Sequence, residues 1–458
     1  MIEVLNQLMK EMLSVEFYIM LPFFMLLIAL ISGVSLQTSI KAAITLGIGF
    51  IGIFIVFDHF VLQLSSVLKK IGETMMTTMD VFDVGWPPMA RIAWSYGYVP
   101  VLLLFIIGIN IIAYKFRITR TLNIDIWNYW HFIFLGQMVH AATGKVILAF
   151  IAVAVSEIII LWLADWSADD VRRFTGVEGI SITTLACVCY YPIGVFISDM
   201  LDKIQVIKNI KADPESLEKR LGFAGDPRAI GFVLGCSLGI AGNYPVKEIL
   251  ALGFNIAAVV YILPKMTHII SDGILPISEG VKKKLTKKVR GKEKTYIGIH
   301  FAILLGDSSV IVTGILMMPI VLMMSLSLPG IRFLPIGSLP NIISIVPMIV
   351  VACNRNILKS IIVSSIIMVG NFYVASGLSE FITALGGSVG YKVTGYDGLV
   401  TSFLEGGNLL RFWLLEVFQF SWIGFIILPM VIIMLYYTKK VKSVDDGLAI
   451  KKTLSDQL

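Results

Sequence analysis

Long apolar runs separated by a few short basic stretches set the pattern of this chain. Runs at about 17–35, 42–63, 93–114, 144–164, 229–245, 248–272, 309–328, 340–353, 357–376 and 409–437 cluster around the ~20 residues a helix needs to cross a bilayer core. Four others are apolar but interrupted: 66–92, 127–141, 179–200 and 297–306. Residues 1–16 place Ile2, Leu5, Leu8, Met9 and Leu13 on one helical face, which predicts a helix lying at the membrane surface. Glu3, Glu11 and Glu16 are wrong for the basic start of a cleavable signal, so the first apolar run is expected to be kept as a span.

Composition agrees with lipid as the main solvent. The chain is 57% hydrophobic and 15% charged, against about 25% charged in soluble domains. The net charge of +6 is concentrated rather than spread. Two hydrophilic stretches, 201–228 and 278–296, are basic, and residues 278–294 carry eight Lys or Arg against two Glu. The tail, 438–458, opens with Thr438-Lys439-Lys440-Val441-Lys442. The positive-inside rule puts all three in the cytoplasm. A Glu-rich start then belongs outside, which requires an odd number of spans: about eleven. The fold class expected is all-α, a polytopic membrane protein. No basic stripe interleaved with aromatics suggests nucleic acid. Cys187, Cys189, Cys236 and Cys353 lie in apolar surroundings without zinc or thioredoxin spacing, so packing is expected of them.

Residues 40–47 (IKAAITLG) and 246–253 (VKEILALG) share the pattern [IV]-K-x4-L-G at an offset of 206. Each opens a long apolar run. With about five spans between the copies, the halves, about 17–200 and 229–405 of a membrane domain at 17–437, would have opposite topology. Inverted repeats of this kind place a substrate site at their interface near the midplane.

Polar groups inside such a chain are costly and need a reason. Asp83 sits beside Gly85, Trp86, Pro87 and Pro88. No helix runs through this sequence, and a broken helix at membrane depth must line protein or a water-filled cavity. The segment reads as a re-entrant tip whose carboxylate accepts hydroxyls while Trp86 packs on a carbon skeleton, or as an ordinary turn outside the membrane. Gln137 and His140 share a helical face and offer the donors and acceptors a polyol wants; the alternative is helix–helix glue. His131, among Trp127, Tyr129 and Trp130, reads as interfacial. Ser181, Thr183 and Thr184 are hydroxyls in an apolar run, suited to a ligand or to their own backbone. His300 and Asp307 are the titratable groups of their run; Asp307 either meets substrate or caps the next helix. No phosphate loop, HExxH, paired-cysteine metal set or GxSxG elbow is present, so neither a nucleotide-driven pump nor a membrane hydrolase is indicated. No cofactor and no metal is expected. The bland reading of the lysine-rich stretch is topology and anionic lipid; the sharper one is docking of a soluble acidic partner.

The runs DVGWPP (83–88), IDIWNYWHFIFLGQ (124–137), KADPESLEKRLGFAGDPRAIGFVLG (211–235), KEILALG (247–253), AAVVYILPKM (257–266), ILPISE (274–279) and LPGIRFLPIGSLPN (328–341) together resemble the galactitol-specific enzyme IIC of the bacterial phosphotransferase system. The ascorbate permease is a more distant relative in the same superfamily. The resemblance covers about residues 17–436. It implies a homodimer in the inner membrane, with an elevator-type core moving against a dimerising scaffold. It also implies a polyol or sugar as substrate and a soluble IIB partner, served by IIA, that does the phosphoryl chemistry; this chain would bind and position but not catalyse. The family's ligand-contacting segments fall on Asp83 to Trp86, on Gln137 and its neighbours, on Thr183 and Thr184, and on the His300 region. Two departures, His300 in place of an aspartate and Leu185 in place of a glutamine, leave open which polyol is carried. A proton- or ion-coupled carrier, with His300 or Asp83 as proton carrier, is the competing reading.

Overall fold

A computed structural model of the protein describes residues 17–74, 79–210, 212–221, 226–288, 295–391 and 398–455. The surface helix expected at 1–16 and the stretch 289–294 lie outside the described residues.

The N-terminal part runs through α1 (Phe17–Ile31), α2 (Leu36–Thr74), β1 (Val81–Asp83), α3 (Trp86–Trp94), α4 (Val99–Lys115) and β2 (Thr121–Asn123). A 3-10 turn at Ile126–Tyr129 leads into α5 (Trp130–Thr143), α6 (Val146–Thr175), β3 (Ile180–Ile182), α7 (Leu185–Val188) and α8 (Tyr191–Leu201). Short helices at Gln205–Lys208 and Pro214–Leu221 lead to α9 (Pro227–Ala241), α10 (Val246–Lys288) and β4 (Tyr296–Ile299). Next come a 3-10 turn at Phe301–Gly306, α11 (Ser308–Ser327), short turns at Leu339–Asn341 and Ile342–Ile345, and α12 (Pro347–Ala352). The chain ends with α13 (Ile357–Gly377), α14 (Ser379–Ser388), β5 (Leu399–Thr401), α15 (Leu409–Phe418) and α16 (Trp422–Ser455).

The molecule is predominantly helical and has several apolar helices, as a polytopic membrane protein must. Among the described residues, four helices are long and apolar enough to cross a membrane, or five if α3 and α4, which meet at 97°, form one span. The expected runs are therefore not all continuous helices. Residues 179–200 divide into β3, α7 and α8, and 297–306 into β4 and a 3-10 turn. The run 409–437 breaks at Phe420, whose φ of 60° ends α15. At the other extreme, α10 carries on through the basic stretch to Lys288, where a loop was expected.

At 1.5 Å per residue, α2 and α10 are about 58 and 64 Å long, well beyond the ~30 Å hydrocarbon core. They lie antiparallel: Gly49 faces Ile270, Gly52 faces Met266 and Gly273 faces Leu46. A Cβ on Gly49 would stand 2.6 Å from the Ile270 side chain, and one on Gly273 2.8 Å from the Leu46 backbone nitrogen. Small residues at such a crossing let two backbones approach where no water drives association. His59 Nε2 and Asn255 Oδ1 add a hydrogen bond of 3.0 Å across the pair. Asp226 and Pro227 start α9 as N-cap and first residue, the Asp226 carboxylate accepting from the Arg228 N–H, an arrangement that suits a helix start.

The structure also contains two small parallel sheets that the all-α expectation lacked. β1 pairs with β5, and β4 lies between β2 and β3. The strands are three or four residues long, too short to leave a periodic signal. They join remote parts of the chain: Val81 N–H also donates to Arg332 O at 3.2 Å. Each strand satisfies backbone groups that a broken helix would leave bare in lipid.

Candidate functional site

The helix breaks and strand tips converge on a buried polar region. Its centre is three ionisable side chains from distant segments. Glu405 follows β5, Arg411 lies in the first turns of α15, and His131 in the first turn of α5. His131 Nδ1 is 3.2 Å from Glu405 Oε2, and Arg411 Nη2 is 3.1 Å from the same oxygen. Arg411 also donates to the Glu405 backbone carbonyl. All three are buried, Arg411 to 1% exposure. A buried arginine or glutamate is tolerated only when paired, so each holds the others in place. The Arg411 guanidinium lies 5.0 Å above the Phe134 ring, a cation–π contact. The Trp130 and His131 ring centroids lie 3.8 Å apart at a tilt of 30°, and Trp86 lies 6.4 Å from Trp130. His131 Nδ1 also lies 3.3 Å from Arg411 Nη2, so it either donates to Glu405 or accepts from Arg411, and Nε2 takes the opposite role in a neutral ring.

The sequence at 83–88 explains the approach of Trp86. Pro87 and Pro88 start α3 without losing hydrogen bonds. Gly85 precedes them at φ 71°, and a Cβ there would lie 2.6 Å from Gly337 O. Asp83 staples this tip. Its Oδ1 accepts from Gly85 N (3.3 Å), Ser338 Oγ (2.8 Å) and Phe403 N (3.0 Å), and its Oδ2 from Ser338 N (2.7 Å). Any ligand hydroxyl there must compete with four protein donors.

The second sheet carries the other expected residues. Thr183 Oγ1 donates to Asn123 Oδ1 at 2.8 Å, and the Asn123 amide donates to Glu157 Oε1 at 3.2 Å. Thr184 Oγ1 donates to Asp125 Oδ2 at 3.4 Å and accepts from Phe301 N at 3.2 Å. His300 Nδ1 accepts from Ala302 N at 3.0 Å, which fixes the neutral ring as the Nε2–H tautomer. His300 is buried and lies within electrostatic reach of His131.

Gln137 is buried on the α5 face that carries Trp130 and Phe134, and its Oε1 has no partner among the described residues. His140 and Asp307 lie apart. His140 Nδ1 bonds Tyr96 OH at 2.9 Å at the far end of α5. Asp307 caps α11 by accepting from Ser309 N at 2.9 Å and pairs with Arg355 at 2.7 Å, a structural arrangement. His131, read from its aromatic neighbours as interfacial, is buried within the protein beside Glu405. Glu405, Arg411 and Glu157 were missed, although a lone ionisable group in an apolar run is the signal that finds such residues.

Comparison with known proteins now decides the class. Residues 11–397 match the family described as "PTS system sugar-specific permease component". The chain belongs to that family. It is 31% identical over 424 residues to the "PTS system galactitol-specific EIIC component" of Escherichia coli (strain K12), covering 92% of this chain and 93% of that protein. The same figures hold for the protein of that description from Escherichia coli O157:H7. This permease component is thus an integral membrane protein.

Proposed function

We propose that this permease component takes up an uncharged sugar alcohol of the galactitol type and presents it to a separate IIB protein, which phosphorylates it. The observation that carries this reading is the buried His131–Glu405–Arg411 constellation beside Trp86 and Trp130. The carboxylate and guanidinium offset each other, so the site favours a neutral ligand. Imidazole, amide and guanidinium supply the donors and acceptors of a polyol, and indole faces suit its C–H surface. The names of the two Escherichia coli relatives support galactitol as the first solute to test. Gln137 and His300 complete the ligand shell; Asp83, Thr183 and Thr184 hold its strands, and His140 and Asp307 sit outside it.

Phosphorylation adds about two negative charges, and a charge in the bilayer core costs several kcal/mol. The product is trapped inside without an ion gradient. We further propose an inverted repeat, about eleven spans in the bacterial inner membrane, and a homodimer in which α1, α2, α9 and α10 form the scaffold and the remainder the moving core. The repeat is supported by element order: helix, long helix, strand, short helical segment and apolar helix recur in both parts. Moreover, β1 pairs with a strand of the second part, and β4 with two strands of the first.

The test is calorimetric titration of the purified protein with galactitol, other hexitols and pentitols, followed by uptake into proteoliposomes. We expect saturable binding of one such polyol, and accumulation as its phosphate only with phosphorylated IIB inside. Accumulation of unmodified solute driven by a pH gradient would overturn the reading in favour of a proton-coupled carrier.

A further inference from the structure

A groove of about 690 Å³ opens on the outer surface where α16 crosses α6 and the turn after α4. Its rim carries three cations, Arg117, Arg120 and Lys439, and its wall three aromatic rings, Trp162, Trp166 and Tyr436. One acidic residue, Asp165, lines it. That carboxylate is engaged inward, accepting from Thr119 Oγ1 (3.0 Å), Arg120 N (2.8 Å) and Thr121 Oγ1 (2.7 Å). Arg120 also donates from Nη2 to the Asp165 carbonyl at 3.4 Å and lies 5.3 Å from the Tyr296 ring; with Arg117 and Lys439 beside it, the lining carries more positive than negative charge.

Its depth in the membrane follows from the sequence of α16. The helix is apolar from Trp422 to Tyr437 and turns basic at Lys439, Lys440 and Lys442. Little of its apolar window is buried against the protein, which leaves an apolar face suited to lipid. The groove sits at that transition. Trp162 and Trp166 stack there at 6.3 Å and 16°, and Trp162 Nε1 donates to Ile118 O at 3.1 Å. Indole and phenol rings prefer this level of a bilayer. Below the cations, Ile432 and Leu435 continue the wall toward the hydrocarbon.

We propose that this groove binds an anionic phospholipid. Its phosphate and negative headgroup lie between Arg117, Arg120 and Lys439, and an acyl chain runs along Ile432 and Leu435. Cations at the headgroup level, aromatics beneath them and an aliphatic wall in continuity with lipid match one ligand from headgroup to tail. The polyol site is a different place, buried among α3, α5 and α15. The proposal does not depend on which leaflet supplies the lipid, and the test in detergent reads binding alone.

The test is native mass spectrometry of the full chain in detergent, titrated with phosphatidylglycerol, with phosphatidylcholine of the same acyl chains, and with inorganic phosphate. We expect a saturable adduct with phosphatidylglycerol, weak retention of phosphatidylcholine and none of phosphate. Each neutralised cation is expected to weaken phosphatidylglycerol about fivefold, so Lys439→Gln alone reads about fivefold and Arg117→Gln/Lys439→Gln about twenty-five-fold. Lys145→Gln, at the opposite end of α6, should leave retention unchanged. Melting temperatures of the lipid-free variants report folding separately. The proposal is overturned if Lys439→Gln retains the lipid like the parent, if Lys145→Gln loses it equally, if phosphatidylcholine binds as well, or if phosphate alone occupies the site.

Discussion

The pair α2 and α10 and the broken core around Glu405 solve the same membrane problem in opposite ways. The long helices pair most of their backbone along their own length and meet through glycines at Gly49, Gly52 and Gly273. Their outer faces stay apolar and bare: Ile44 is 58% and Phe254 68% exposed. The core does the reverse. Its elements stop short at β1, β3, β4 and β5, and buried around them are His131, Glu405, Arg411, Asn123 and Glu157. Continuous helices need few polar side chains, the bonded His59 and Asn255 being two between this pair. Interrupted ones leave backbone groups that must be paired, and the space that pairing opens is where a hydrophilic ligand can be held.

The contrast breaks most severely at Glu405. Glu405→Ala leaves Arg411 buried without its carboxylate, at a cost of about 3–5 kcal/mol. We expect a large fall in melting temperature in detergent and loss of polyol binding; a stable, binding-competent variant would mean the trio is not the organising centre. On the helix pair, Gly273→Val forces a side chain against the Leu46 backbone and should cost about 1–3 kcal/mol. Here the expected signature is lower stability with unchanged affinity in the folded fraction, which thermal melts and titration calorimetry read separately.

Two smaller changes sharpen the site itself. Gln137→Leu removes a carbonyl oxygen that has no protein partner among the described residues, so stability should hold while polyol affinity falls about tenfold, about 1.4 kcal/mol. His300→Ala should lower affinity by a similar factor, and calorimetry that finds both variants unchanged would remove these residues from the ligand shell. The smallest effect is expected of Asp307→Asn. Asparagine still caps α11, and the lost ion pair with the partly exposed Arg355 is worth about 1 kcal/mol or less. Equal uptake rates for this variant and the parent would check that it lies outside the site.

Much of this was legible in the residues. Asp83-Val84-Gly85-Trp86-Pro87-Pro88 cannot continue a helix, and the chain breaks there. Asp307 before two serines reads as a cap, one of its two readings, and is one. Other features were hidden. His131 among three aromatics looks interfacial because local context is all a linear pattern offers, yet its partner Arg411 is 280 positions away. Glu405 stands beside two glycines in a weakly patterned stretch, and strands of three residues have no period to detect.

The amino-acid order alone determined the solvent and the helical class, because hydropathy and local capping act over distances shorter than a helix; the family followed from the resemblance of its motif runs. Only the tertiary structure decided which polar groups meet. Asp83 finds Phe403 at a separation of 320 residues, and Trp86 finds Trp130, through packing of whole elements. Those meetings are fixed by shape and by the need to pair every buried charge, and neither is written in the neighbourhood of any one residue.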